Sequence, residues 1–251
     1  MKAILRWSAA LGILGSITLT SLLGGSFPAL ALPPAQVVET LGVTPVFYIV
    51  SSDNKLLFVS AENNQRVAPR FLSQQDAQQF LTNLQQSNPQ IANGARIAVS
   101  PLGELYQLDI ENANQQQDVQ FQYVPTEQQA RNATTLDQSF AGAPLFYATV
   151  GQESVTIQQN GETVVPFFFE KEGLMRMVDR FKQAQPDRAS QVQIEVVALE
   201  NVIETLRTSS DNNLSQLVLV PSEASLQFIE SVQQQIRQQN SQNRQTAPNR
   251  R

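Results

Sequence analysis

Apolar positions dominate "TPVFYIVSSDNKLLFVS", residues 44–60, in two runs on either side of Ser52-Asp53-Asn54. Asp and Asn supply turn geometry, so two β-rich runs around them predict a hairpin. "RVAPRFL" (66–72) predicts a third short strand, with Pro69 expected at an edge or a bulge because proline cannot donate to a ladder. The period then changes from strand to helix. Ser73 is placed to cap a helix over "SQQDAQQFLTNLQQ", in which Ala77, Phe80, Leu81 and Leu84 share one face. "ARIAVS" predicts a strand, "PLGELYQL" a short helix and "VQFQYV" a strand, and "PTEQQARNATTLDQ" predicts a helix opened by Pro125. The remainder repeats this order, with strands predicted near 144–150, 153–158 and 162–169, a helix over 171–185, a strand over 192–197, a helix over 199–207, a strand over 215–220 and a helix over 222–238.

The repetition extends to residues. "TPVFYI" (44–49) returns as "APLFYA" (143–148), "VAPRF" (67–71) as "VVPFF" (164–168), and "QQSNPQ" (85–90) as "KQAQPD" (182–187). Ile97 and Val99 return as Ile194 and Val196, and "YVP" (123–125) returns as "LVP" (219–221), at an offset that drifts only from 99 to 96. The expected fold is therefore α+β: an internal duplication of a β-β-β-α-β-α-β-α unit, with lobes at about 43–138 and 142–239. Two such units bury their apolar faces on each other, which predicts one pseudo-two-fold, two-lobed body within residues 32–240.

Two segments fall outside that pattern. "MKAILRWSAALGILGSITLTSLLGGSFPALA" has a basic start (Lys2, Arg6), an apolar stretch from about Ala9 to Leu23, and Ala29 and Ala31 in an A-x-A arrangement. Residues 1–31 therefore read as a signal peptide cleaved between Ala31 and Leu32; Gly12, Gly15 and Ser16 interrupt an apolar stretch already too short to span a bilayer. At the other end, 241–251 is Gln/Asn- and Arg-rich without periodic apolar residues and is expected to be disordered.

Composition narrows the chemistry. The chain has 251 residues with no Cys and no His, which excludes thiol nucleophiles, disulfides, Cys/His metal sites and any Ser-His-Asp triad. Removing Lys2 and Arg6 with the leader takes 17 basic residues to 15 against 22 acids, a net charge of −7. Nucleic acid, whose phosphates need clustered cations, is not an expected partner. No later stretch is apolar enough to cross a membrane, so a soluble exported product is expected.

The sites that could carry a reaction have simpler readings. Ser52-Asp53-Asn54-Lys55 has the S-x-x-K spacing, but in a turn and not at the start of a helix. Glu170, Glu172 and Asp179 suit a helix start, whose dipole favours acids, and Asp109 with Glu111 makes no better acid/base pair. No Gly-rich phosphate loop is present, since Gly24-Gly25 belongs to the leader. The expectation is a protein that is not an enzyme and uses no cofactor and no metal.

"VVPFFFEKEGLMRM" (164–177) is the richer candidate, and the first half serves as its control. Phe168 and Phe169 replace Phe71 and Leu72, apolar for apolar, and read as core. Phe167 replaces Arg70, a residue type almost never fully buried unless paired. Met175 replaces Gln78 outside the apolar stripe of Leu174, Met177, Val178 and Phe181. Methionine suits surfaces that accept varied apolar partners. Two readings stand: Phe167 and Met175 pack against the other lobe or another subunit, or they form a client-binding surface, with Tyr147 and Leu174 as further contacts.

"TIQQNGETVVPFFFEKEGLMRMVDRFKQAQPDRASQVQIEVVALENVIETLRTSSDNNLSQLVLVPS", with "TPVFYI" and "FLSQQDAQQFL", resembles the 22-kilodalton subunit family of the translocon at the inner envelope of chloroplasts (Tic), in its cyanobacterial form, over roughly residues 36–232. The resemblance implies protein transport: a pseudo-symmetric, two-lobed body with hydrophobic surface pockets, located in the intermembrane space in plastids and in the periplasm or thylakoid lumen in cyanobacteria. It implies a periplasmic, chaperone-like factor that holds unfolded preproteins or outer-membrane β-barrel precursors. The alternative is a structural adaptor docked to an outer-membrane or envelope assembly pore. It carries no catalytic residues.

Overall fold

The alternating runs of the first half become strands of one sheet and those of the second half strands of another, with helices between them. The computed structural model describes residues 17–19, 32–60, 66–113, 119–209 and 211–245. The first half comprises α1 (Pro34–Leu41), β2 (Pro45–Val50), β3 (Val59–Ser60), β4 (Arg66–Phe71), α2 (Gln74–Ser87), α3 (Pro89–Ala92), β5 (Arg96–Pro101), α4 (Leu102–Ala113), β6 (Val119–Val124) and α5 (Glu127–Leu136). The second comprises β7 (Pro144–Val150), β8 (Glu153–Gln159), β9 (Glu162–Phe168), α6 (Lys171–Ala184), β10 (Val192–Ala198), α7 (Leu199–Thr208), β11 (Leu217–Val220) and α8 (Glu223–Gln245). Within the expected leader, β1 (Ile17–Leu19) pairs antiparallel with β8, and the rest of residues 1–31 lies outside the described residues.

The same pairings build both sheets. β4 lies antiparallel to β2 and β3 and parallel to β6, while β5 pairs with β2. β9 likewise lies antiparallel to β7 and β8 and parallel to β11, while β10 pairs with β7. Pro69 consequently sits in an interior strand, which corrects the expected edge or bulge. The antiparallel partners of β4 stop on either side of it, β3 facing Arg66 and Val67 and β2 facing Arg70 and Phe71. The missing N–H falls in the gap between two half-ladders. Pro166 repeats the arrangement, with Val164 paired to β8 and Phe168 to β7.

Strand alternation then assigns the faces. Phe47, Ile49 and Phe71 meet Ala77 and Leu81 of α2 on the outer face of the first sheet. Phe146, Ala148, Val164 and Phe168 meet Leu174, Met177, Val178 and Phe181 of α6 on the outer face of the second. The inner faces share a central cluster in which Val46, Leu102, Tyr106 and Tyr123 of the first half pack with Leu145, Phe169, Leu199, Leu206 and Leu219 of the second. Val37 and Leu41 of α1 complete it, a helix that its short apolar spacing did not announce.

The last helix of each half crosses to the other half's sheet. Ala133 of α5 is buried in the outer core of the second sheet, and Phe228 of α8 sets its ring edge-on to Phe47 of the first, centroids 5.1 Å apart. α8 continues to Gln245, which corrects the expected start of a disordered tail at 241: neither Gly nor Pro interrupts the chain between Glu223 and Gln245, and Gln and Arg are adequate helix formers. Residues 246–251 lie outside the described residues.

Candidate functional site

Four residues were expected to touch a client, and they lie in different environments. Leu174 is 0% exposed, buried against the second sheet, so it cannot form part of a surface. This corrects its place among the contacts: it belongs to the apolar stripe that anchors α6. Met175, the next residue of the same helix, is half-buried. Phe167 and Tyr147 stack with centroids 4.7 Å apart and planes 24° from parallel, and Phe167 packs on the central cluster between the lobes. Burial pushes the Tyr147 phenol up, and the Glu195 carboxylate across the ladder adds to the shift.

Arg70, the counterpart of Phe167, is only 4% exposed and is the paired exception among buried arginines. Its guanidinium donates two hydrogen bonds to Asp109, at 2.6 and 2.5 Å, and one to Tyr123 Oη at 3.2 Å. The Phe121 ring lies 3.8 Å from its central carbon. Burial works against its charge, but Asp109 and Tyr123 raise its pKa above the ordinary arginine value. Asp109, set aside in the sequence, is thus the partner that lets Arg70 be buried.

An apolar concavity lies elsewhere, between α8 and the first sheet. Val43, Pro45, Val99, Ser100, Pro101, Phe228, Ile229, Val232 and Gln233 line a groove of about 140 Å³ that contains no charged side chain. Val99 is 43% exposed at its rim. In the matched segments Ala133 and Leu136 of α5 stand where α8 has Ile229 and Val232. The small, fully buried Ala133 seats α5 on β7 and β10, whereas the larger Phe228 and Ile229 of α8 line the groove beside β5. The signal in the sequence was the spacing of Phe228, Ile229 and Val232, but it does not say which sheet they meet.

Residues 11–234 match the family described as Tic22-like. The chain belongs to the Tic22-like family. It is 24% identical over 199 residues to the Pisum sativum protein "Protein TIC 22, chloroplastic", covering 77% of this chain and 75% of that one. It is 25% identical over 192 residues to the Arabidopsis thaliana protein of the same name, covering 74% and 67%. Among solved structures it superposes on "Anabaena Tic22 (protein transport)" with a TM-score of 0.67 at 24% identity, over 80% of this chain and 97% of that one. "Tic22 from Plasmodium falciparum" gives 0.60 at 23% identity, over 78% and 97%. The family match spans all the groove residues, from Val43 to Gln233.

A second cavity of this Tic22-like chain, about 180 Å³, lies between the lobes where the N-cap residues of α2, α5, α6 and α8 converge: Ser73, Thr126, Glu170 and Ser222. The hydroxyls of Ser73, Thr126 and Ser222 accept from N–H groups of their own helices. Glu170 accepts instead from the Glu223 N–H at the start of α8, at 3.0 Å. A protein carboxylate thus already serves these positive helix ends. Glu172 beside it accepts from Gln129 and Asn132; burial opposes its charge, but these hydrogen bonds hold its pKa below the usual value.

Proposed function

We propose that this chain is a chaperone-like factor in protein transport, without enzymatic activity, that holds apolar stretches of unfolded preproteins or outer-membrane β-barrel precursors. The observation that carries this reading is the uncharged groove of Val43, Pro45, Val99, Phe228, Ile229 and Val232 on a chain of the Tic22-like family. A volume near 140 Å³ takes one or two aliphatic side chains at a time. Burying each is worth about 1.5–3 kcal/mol, so contact is weak and exchangeable, and release requires no nucleotide. The exposed edges of Phe167, Tyr147 and Met175 provide secondary apolar contacts. The leader-like residues 1–31 support export to the periplasm, with the thylakoid lumen as the alternative. The matched segments and the equivalent pairings of the two sheets support an internal duplication that yields a pseudo-two-fold body.

Val232→Glu places a charge in the groove from the half-exposed face of α8. The expected result is loss of the protein's suppression of aggregation of a denatured β-barrel precursor, with an unchanged melting temperature. Full suppression by this variant would remove the groove from the function. Phe167→Arg with Met175→Gln is expected to weaken suppression only slightly; complete loss in that variant would return the site to the second lobe.

A further inference from the structure

We propose that the groove receives its client as an extended strand added to the free edge of β5. The inference rests on the groove reading above and adds the client's conformation and sequence pattern. β5 pairs only with β2, so no described strand occupies its far side. The ladder shows which backbone groups face that side. Leu102 N–H donates to Thr44 O at 2.8 Å, in the register that continues through Val46/Ser100, Tyr48/Ala98 and Val50/Arg96. Hydrogen-bonded pairs alternate along an antiparallel ladder, so Ile97 and Val99 turn their N–H and C=O groups away from β2. Ile49, opposite Ile97, agrees: its carbonyl accepts from Leu57 N–H on the other side of β2, at 2.9 Å.

The side chains of those same two residues lie on the outer face: Ile97 packs on the core beneath α2, and Val99 lines the groove. A strand paired with Ile97 and Val99 therefore points alternate side chains toward Phe228 and Val232 and the intervening ones away. Main-chain bonds then supply affinity, and the groove selects apolar residues at every second position. Transmembrane barrel strands have this pattern. The edge of the other sheet is guarded against such addition. Glu195 stands in the middle of β10 where β5 has Ala98, and α5 packs against β10. Inward or edge charges are a usual protection of an edge strand, and the centre of β5, Ile97 to Val99, carries none. A second folded copy fits poorly, because the nine lining residues fall short of the roughly 20–30 residues per side of a stable interface.

The test uses a short, capped, fluorescent peptide of alternating valine and threonine, read by anisotropy. Val99→Pro removes one edge-facing N–H and leaves the ladder to β2 intact, since that N–H makes no bond to it. It is expected to weaken peptide binding by up to about tenfold, the loss of one hydrogen bond. On the unaltered protein, two peptides N-methylated on opposite sets of alternate amides should separate: one binds like the parent and the other at least tenfold more weakly. Equal binding of both methylated peptides overturns strand addition, whatever Val99→Pro does to folding. If Val232→Glu abolishes binding while the methylated pair binds equally, the groove stands and strand addition fails. If Val232→Glu leaves binding unchanged, the groove reading fails with it.

Discussion

Arg70 and Phe167 occupy the same position in the two sheets, one beside Tyr123 of β6 and the other beside Leu219 of β11. At the offset of 97 that relates them, Asp109 corresponds to Leu206. One lobe therefore has a buried Arg70 paired with a half-buried Asp109 where the other has two apolar side chains packed in or on the central cluster. Removing one member of a buried pair leaves the other uncompensated, so Asp109→Ala should cost about 3 kcal/mol in urea unfolding. Arg70→Phe with Asp109→Leu, which copies the second lobe, should cost less than the single substitution; a larger cost would show that the lobes are not interchangeable here. Glu200 gives a pH signature. Burial pushes its carboxyl above 4.5, although hydrogen bonds from its own and the Ala143 N–H oppose this. The folded state thus binds the proton more tightly, and this contribution to stability is present at low pH and is lost as pH rises above about 4.5 through the raised value. Glu200→Gln should gain stability relative to the parent between pH 4 and pH 7, as followed by thermal melts across that range. A constant difference would mean that Glu200 titrates normally.

Among the elements, strands and long helices were legible and the short connectors were not. α2 begins at Ser73, and its stripe of Ala77 and Leu81 is buried as the period required. α1 escaped notice because eight residues carry little periodicity, and its burial depends on both lobes closing over it. Its contact with α4 is close: a Cβ on Gly103 would lie 2.4 Å from the Val38 carbonyl oxygen, which is backbone and cannot step aside. Gly103→Ala should therefore destabilise by about 1–3 kcal/mol through displacement of α1. An unchanged melting temperature would show that the two helices have room to part.

At the scale of the whole molecule, the crossing of α5 and α8 and the shared central cluster join the halves. Neither half retains its own last helix, and each outer core is incomplete without the other half. Unfolding should consequently be a single transition, with the slowest amides of β4 and β9 opening at the same free energy by hydrogen exchange. Two separated transitions, or a folded fragment ending near residue 138, would refute this coupling.

By itself the sequence determined the strands and long helices, the lack of Cys and His and the family, because periodicity, capping and matched segments are local signals. It also narrowed three phenylalanines to Phe167. Tertiary structure decided what that residue does and where the groove lies. Exposure of Arg70 could not be judged without its partner 39 residues away, and the position of Phe228 depends on which sheet α8 crosses to. Burial and concavity arise from contacts between segments distant in the chain, and a single strand or helix pattern specifies a face without specifying what covers it.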